Sequence, residues 1–457
     1  MKKLLSVLLL NCFAAELFCM GATQPLEKAH CQLWSKFVGN DGIVLDYVGE
    51  LPNAKDVKDG YPNYLSWWTP IENGAKFTGL YLAAMCRRAE ISKSGEDKKK
   101  AEKLFSGLMK CASCSDVSGF IARGFASDGR SHYPCGSEDQ TIPWLYGMYV
   151  YYKSPIASES ARAAIREKFM QVCDALEKNK WNCPCDGRFA GQTRGDLSGF
   201  RFFQVPCYLF CLRAASIISG DSKWEEKYRR ALYEKPAKSP ANSKITCLEI
   251  CALGHEQDEG WLKNINGNLL WIYVKNYAVL RELYDAETDK AARKKFREGL
   301  ENGAAYTLST LEKYADFDNS QNLEFKLSNW KKYFKWRPQD SQKSAEKLAF
   351  DQTKIREAWG RRNYERKLMT MPLSAASICA FSGNPKYSET IEKAVSHYDY
   401  SKLNLGEIFF CGSCMVEFSQ KQAHRNSVKL LQTNAGVWSY LCGYRKNLKD
   451  FSELAAY

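Results

Sequence analysis

The chain has 457 residues, a formal net charge of +13, 18 cysteines and only 14 prolines, spread along its length. No low-complexity tract or linker divides it, which argues against a string of small domains and for one large one. The basic residues are dispersed, as in 98–103 (KKKAEK) and 290–297 (KAARKKFR), on what read as outer helix faces. Such charge is either a solvated surface or an attraction for an acidic polymer, and with no recognisable binding motif it does not fit nucleic acid.

Residues 1–22 read as a signal peptide. Lys2 and Lys3 precede an apolar run from Leu4 to Phe18, and the small residues Gly21 and Ala22 follow. A run of about fifteen residues, interrupted by Glu16, is too short to span a bilayer. Phe18 is a poor residue to precede a lipidated Cys19, so cleavage and export, to the periplasm or beyond the cell, are expected. No later stretch is apolar enough to be a membrane span. Residues 23–457 read as a single domain.

Helical periodicity dominates, and alternating strand patterns are nearly absent. Apolar residues recur at helical steps in Phe77, Leu80, Tyr81 and Ala84, and again in Tyr208, Cys211, Leu212 and Ala215. Four loops dense in glycine, aromatic and charged residues run into such helices: 61–74 (YPNYLSWWTPIENG), 123–140 (RGFASDGRSHYPCGSEDQ), 181–201 (WNCPCDGRFAGQTRGDLSGFR) and 255–268 (HEQDEGWLKNINGN). Thr69-Pro70-Ile71-Glu72 and Ser137-Glu138-Asp139-Gln140 have the pattern of capping boxes, the first with proline at the opening helical position. Helices are therefore expected to begin near Glu72, Glu138, Asp196 and Trp261, about sixty residues apart, which is one helical hairpin with its connections. Polar loops repeated at one phase gather at one end of a helical assembly and can build a pocket there. An insertion around 316–340, carrying Trp330, Phe334 and Trp336 among lysines, departs from the spacing; it is either a lid or cleft wall, or a surface excursion packed by its own aromatics. Helices near Arg366–Phe381 and Ser427–Tyr444 bring the total to about twelve.

Six hairpins with aromatic-rich loops at the start of alternate helices resemble the (α/α)6 toroid of the six-hairpin glycosidase superfamily, and related toroids occur in polysaccharide lyases. The segments WWTPIENGAKFTGLYLAA (67–84) and HYPCGSEDQTIPWLYG (132–147) look like its loop-to-inner-helix junctions. The resemblance covers essentially the whole mature chain. It implies an all-α fold, about twelve helices paired as inner and outer members, and an activity on sugars. It brings no family-specific catalytic signature, so no residue role is carried over with it.

Cleavage of a sugar needs stacking platforms, hydrogen-bonding groups and acid/base residues around one oxygen. Trp67 and Trp68 offer aromatic faces for a pyranose, or pack beneath their loop. Glu72 is a cleft carboxylate or a helix cap. His132 and Tyr133, in a glycine-flanked loop, suit a proton acceptor and a donor, or simply hold that loop together. Asp139 at a helix start is the first choice for a general acid or base. Gln192, Arg194, Asp196 and Arg201 form a further cluster; arginine binds carboxylate or sulfate with paired hydrogen bonds, and an Arg–Asp pair ordering the loop is the alternative. Arg123 and Asp128 are weaker versions of the same idea, and Asn73 adds a polar group. His255, Glu259, Trp261 and Asn264 suit the far rim.

Of the cysteines, Cys12 and Cys19 lie in the signal, and Cys111/Cys114, Cys183/Cys185 and Cys411/Cys414 form close doublets. An exported chain oxidises such residues, so disulfides or buried thiols are expected ahead of a metal, the spacings matching no standard zinc site. No dinucleotide or phosphate-loop motif implies a cofactor. The expected function is that of an exported glycoside hydrolase acting on an oligosaccharide or polysaccharide, neutral or acidic, through Asp139, Asp196 and Glu72. The alternatives are a polysaccharide lyase using His132, Tyr133, Arg194 and Asn73 on a uronate polymer, or a non-catalytic glycan-binding protein. Oligomeric state is not legible.

Overall fold

A computed structural model describes residues 30–31, 33–257, 270–315, 330–332, 335–353 and 371–387. The signal at 1–22, Trp261 with Glu259 and Asn264, most of the insertion at 316–340, Cys411 and Cys414, and the helix expected at 427–444 lie outside the described residues.

Two kinds of helix alternate along the chain. In α2 (Gly74–Ser92) the run from Gly74 to Cys86 is buried without a break, as is Gln140 to Tyr151 in α4 (Glu138–Lys153) and most of α6 (Val205–Ser219). By contrast α3 (Gly95–Cys111), α5 (Glu159–Lys178) and α7 (Ser222–Tyr233) bury only a stripe, in α5 including Ala161, Ile165, Phe169, Val172 and Leu176. A helix apolar on all sides is wrapped by neighbours, whereas a striped one faces water with its other side. The first kind forms an inner series: α2 packs on α4, α4 on α6, α6 on α9 (Leu270–Ala286), and α9 on α12 (Met371–Ser382). The outer helices, joined by α10 (Lys290–Ala315), return the chain between inner ones. The short α8 (Cys247–Leu253) packs on α6, α7 and α10, while α1 (Ala54–Asp59) precedes the first long loop and α11 (Gln342–Thr353) lies against it. The all-α expectation holds, with one departure: 182–196 is a two-stranded antiparallel hairpin, β1 (Asn182–Pro184) and β2 (Thr193–Asp196).

The inner helices α2, α4 and α9 run in the same direction, because contacts tie them at both ends. Near their C-termini the Glu282 carboxylate of α9 accepts from Arg87 of α2 at 2.9 Å and from Lys153 of α4 at 3.3 Å. Near their N-termini Lys76 of α2, Asp139 of α4 and Lys275 of α9 interact electrostatically. The helix starts are stitched to one another rather than capped locally. Ser94, Ser158 and Asp221 cap outer helices with their side chains, but the N-cap residues of α2, α4 and α6 make no such bond. Instead the α2 N–H groups of Ala75 and Lys76 donate to the Arg123 carbonyl at 2.9 Å and to Gln140 Oε1 at 3.0 Å.

Two of the expected helix starts are corrected. α2 begins at Gly74, two residues beyond the start expected near Glu72, and Pro70 is not its first residue: Glu72 turns back to accept the Trp68 N–H at 2.7 Å, and Trp68 itself has φ +80°. Asp196 ends β2, and the helix after it starts only at Val205. The start at Glu138 is as expected, yet the capping box there does not form. Ser137 Oγ accepts from Arg123 at 3.1 Å, and Gln140 bonds across to α2. The described part of the insertion docks on the chain at either side of α1. There Trp330 Nε1 donates to the Glu50 carbonyl at 2.7 Å and Trp336 Nε1 to the Gly60 carbonyl at 3.2 Å.

α2 and α4 touch backbone to backbone. A Cβ at Gly79 would lie 2.0 Å from the Pro143 carbonyl oxygen, and one at Gly147 would lie 2.5 Å from the Gly79 oxygen. Overpacking of this kind destabilises by about 1–3 kcal/mol or more. Gly79→Ala and Gly147→Ala are therefore expected to lower the denaturant midpoint by that order. Gly95→Ala, where a Cβ meets nothing within 4 Å, is expected to leave the midpoint unchanged or raise it slightly. Equal effects at all three positions would contradict the close crossing.

Candidate functional site

The site assembles where α2, α4 and α9 begin. Glu138 and Asp139 open α4, and β2 lies across them. Gly195, at φ +88°, makes this approach possible, since a Cβ there would sit 2.0 Å from Glu138 Oε2. Cations from four elements surround the pair: Lys76 on α2, Lys275 on α9, Arg123 from the loop before α4, and Arg194 on β2. Lys76 and Lys275 are each only 1% exposed and Arg123 2%. Charges so deeply placed are not surface decoration, because removing a cation from water is offset only by fixed partners.

The two carboxyls respond in opposite directions. Burial, reinforced by the negative neighbour Asp139, raises the pKa of Glu138 despite Arg194 and Lys275. For Asp139 burial also works against ionisation, but Lys76, Lys275, Arg123 and Arg194 together outweigh it and hold the pKa below its usual value. Near neutral pH Asp139 is the anion of the pair, and Glu138 is the carboxyl that holds a proton more readily than an ordinary glutamate.

A second set of groups fixes these positions. Asp46 accepts both the backbone N–H and the side-chain amide of Asn73, at 2.7 and 2.8 Å, and Asn73 Oδ1 accepts from Gln140 at 3.3 Å. Arg123 donates to the Glu72 carbonyl at 2.8 Å as well as to Ser137. Lys275 Nζ donates to Asn276 at 2.9 Å and lies 3.5 Å from the centre of the Phe203 ring. Buried Glu256 accepts from the Phe203 N–H at 2.8 Å and from the Tyr273 hydroxyl at 3.0 Å. Arg194 stands 5.7 Å from the centre of the Trp67 ring and reaches Glu346 of α11 at 3.4 Å, while its buried Nε–H has no acceptor among the described residues.

Of the residues singled out in the sequence, Asp139, Arg123, Arg194 and Asn73 meet here, with Trp67 against Arg194. Trp68 is buried and donates its Nε1 to the Ala349 carbonyl at 3.1 Å, so it packs under the loop. Glu72 is the loop brace already described. Gln192 Oε1 accepts the Gln342 N–H at 3.0 Å, fastening the hairpin to α11. Asp196 is taken up by Ser198 at 2.7 Å and Lys238 at 2.8 Å. Arg201 feels Glu256 and Tyr273 at the other edge. Asp128 closes its own turn onto Arg130 and Ser131, and His255 stacks on Tyr306 with centroids 5.3 Å apart.

His132 and Tyr133 fit the second of their two readings and hold their loop together. Tyr133 is buried and donates to the Tyr61 carbonyl. His132 Nε2 lies 2.7 Å from Asp186. Burial disfavours its charge, but the bonds to Asp186 and Cys114 prevail and push its pKa up to about 10. An imidazolium at neutral pH does not serve as the proton acceptor expected of it. The reading of the sequence also missed Lys76 and Lys275. Their signal was present: each is the lone charge in the first half of its helix, within GAKFTG and WIYVKNY.

A neighbouring cavity of about 510 Å³ lies between α1, the loop before α2 and the insertion, lined in part by Lys58, Tyr61, Tyr64, Arg188 and Trp336. Glu138 and Asp139 are not among its lining residues. Among the described residues no group of three or more His, Cys, Asp or Glu side chains is placed to hold a metal ion. The chain matches no family model, no curated protein and no solved structure.

The His132–Asp186 pair carries a pH signature. A histidine whose pKa is raised from 6.5 to about 10 contributes stability that is complete below pH 6.5 and is lost as pH rises towards 10. Melting temperatures of wild type and Asp186→Asn, measured from pH 6 to 10, are expected to differ by a constant amount below pH 6.5 and to converge above it. A difference independent of pH would show that the pair is not ionic.

Proposed function

We propose that this chain is an exported carbohydrate-active enzyme on a six-hairpin (α/α)6 toroid, and that it hydrolyses glycosidic bonds at the start of α4. The observation that carries this reading is the divergence of the Glu138 and Asp139 acidities within a ring of four cations. Two titratable groups driven apart by their surroundings are what acid/base catalysis needs. Glu138 is the general acid that protonates the leaving oxygen. Asp139 is the anion that activates water or stabilises the positive charge developing at the sugar. Trp67 with Arg194 flanks the pair and suits a sugar face beside an anionic or hydroxyl group. The alternation of inner and outer helices, and the parallel course of α2, α4 and α9, support the toroid.

The same cations favour a second reading. Lys76, Lys275, Arg123 and Arg194 would neutralise a uronate carboxylate and stabilise the enolate-like intermediate of a β-elimination, with Asp139 as the base. The two chemistries leave different products: hydrolysis gives only new reducing ends, whereas elimination also creates a C=C bond that absorbs in the ultraviolet.

The test is an assay of the purified chain on neutral and uronate-containing oligosaccharides, following both signals. Asp139→Asn is expected to reduce kcat by about 10²–10⁴-fold without loss of folding. For the hydrolase, activity rises with pH as Asp139 ionises, below the usual aspartate value, and falls as Glu138 loses its proton, above the usual glutamate value. Glu138→Gln removes the falling limb. Turnover by Asp139→Asn at the wild-type rate would sink both enzymatic readings, and glycan binding without turnover in the wild type would identify a binding protein.

A further inference from the structure

The thirteen described cysteines are thiols, eleven of them buried. Within the close sequence doublets, geometry works against pairing. Cys183 and Cys185 flank Pro184 on extended chain, where alternate side chains face opposite ways; Cys183 belongs to the main core and Cys185 to a separate apolar cluster. Cys114 turns to the Cys111 carbonyl at 3.5 Å. Cys207/Cys211 and Cys247/Cys251 sit one turn apart on helices α6 and α8.

Cys135 and Cys185 are different. The Asp186 N–H donates to the Pro134 carbonyl at 2.7 Å, and Gly136 lies so close to Pro184 that a Cβ would come within 2.3 Å of the Pro184 oxygen. Residue 134 thus faces 186 and residue 136 faces 184, so the two segments run antiparallel with Cys135 directly opposite Cys185. Residues opposed in an antiparallel pair have Cα atoms about 4.5–5.5 Å apart, within the range a disulfide spans. Their thiols are close enough to perturb each other's acidity, and both are fully buried in the same apolar cluster. The Cys185 thiol is held below the usual value by its Cys135 neighbour, against burial, with help from the Gly136 N–H, Arg194 and Arg123, which favours its thiolate as the attacking group.

We infer that Cys135 and Cys185 form a disulfide when the chain matures in an oxidising compartment, joining the loop that leads into Glu138 to the hairpin that carries Arg194. The oxidant is a protein or small-molecule disulfide. The Cys185 thiolate attacks one of its sulfurs and expels the other as a thiolate. Cys135, losing its proton, then attacks the Cys185 sulfur of the mixed disulfide and releases the second thiol. Two thiols of the chain become one disulfide, and the oxidant leaves as two thiols. The closed loop contains all of α4 and α5, so the bond constrains a large part of the unfolded chain. This inference does not depend on the sugar-cleaving reading, because its readout is covalent.

The full chain is equilibrated in glutathione buffers of increasing oxidation until its thiol content stops changing, quenched in acid, unfolded, alkylated and digested. The expected result is a linked pair of peptides containing Cys135 and Cys185, two hydrogens lighter than the separate thiols. The melting temperature of the oxidised form should exceed that of the reduced form by several degrees, and Cys135→Ser should abolish this redox dependence. Recovery of both residues as alkylated thiols under oxidising buffer overturns the inference, as does linkage of either to another cysteine. Peptide mapping of the wild type decides the matter even if the variant folds poorly.

Discussion

The parallel course of α2, α4 and α9 is the constraint from which the rest follows. Parallel helices cannot be joined by a short turn, so each inner helix needs an outer one to bring the chain back. The alternation of fully apolar helices with striped ones is the sequence's record of that requirement. Parallel helices also place all their N-termini, with N–H groups that have no partner within their own helix and positive dipole ends, on one face. Carboxylates at the start of α4 suit such a face, as do cations at the opposite one, where Arg87 and Lys153 hold Glu282. Each dipole contribution is modest, about 0.3–1 kcal/mol. Summed over neighbouring helices, they bias which end of the bundle carries an anion.

This arrangement explains why the inner helix starts lack side-chain caps. An isolated helix satisfies its first N–H groups locally, as Ser94, Ser158 and Asp221 do for the outer layer. In the inner layer those donors are taken up by neighbours: Gln140 of α4 accepts from α2, and the Arg123 carbonyl does the same. Arg123 in turn binds both the Glu72 carbonyl and Ser137, so one guanidinium joins two loop-to-helix junctions. Local capping has been exchanged for connection between helices, and the candidate site lies among these connections.

Much of this was legible in the sequence and some was not, for definite reasons. Long apolar runs with helical spacing announced the inner helices, and the start of α4 at Glu138 followed from the polar loop before it. Short-range signals misled where a long-range bond intervened. Glu72 has the position of a capping residue but turns to Trp68, and Ser137 is engaged by Arg123. The hairpin at 182–196 escaped because its strands are three and four residues long and broken by proline and glycine, too short for alternation to register. His132 drew attention by rarity, yet its partner Asp186 lies 54 positions away and cannot be paired with it by spacing. Lys76 and Lys275 were overlooked for the opposite reason: periodicity treats a single charge in an apolar helix as noise, although burying one is costly enough to need a purpose.

The crossing at Gly79 and Gly147 bears on how the charged residues behave. Lys76 lies less than one turn before Gly79, and Asp139 about one turn before Pro143, whose carbonyl Gly79 abuts. Because main chain rests on main chain there, no rotamer acts as an adjustable shim between the two helices. The separation of the opposing charges is inherited from the scaffold itself, as parts are held in a jig. A field set in that way loses little to dielectric relaxation when charge shifts nearby.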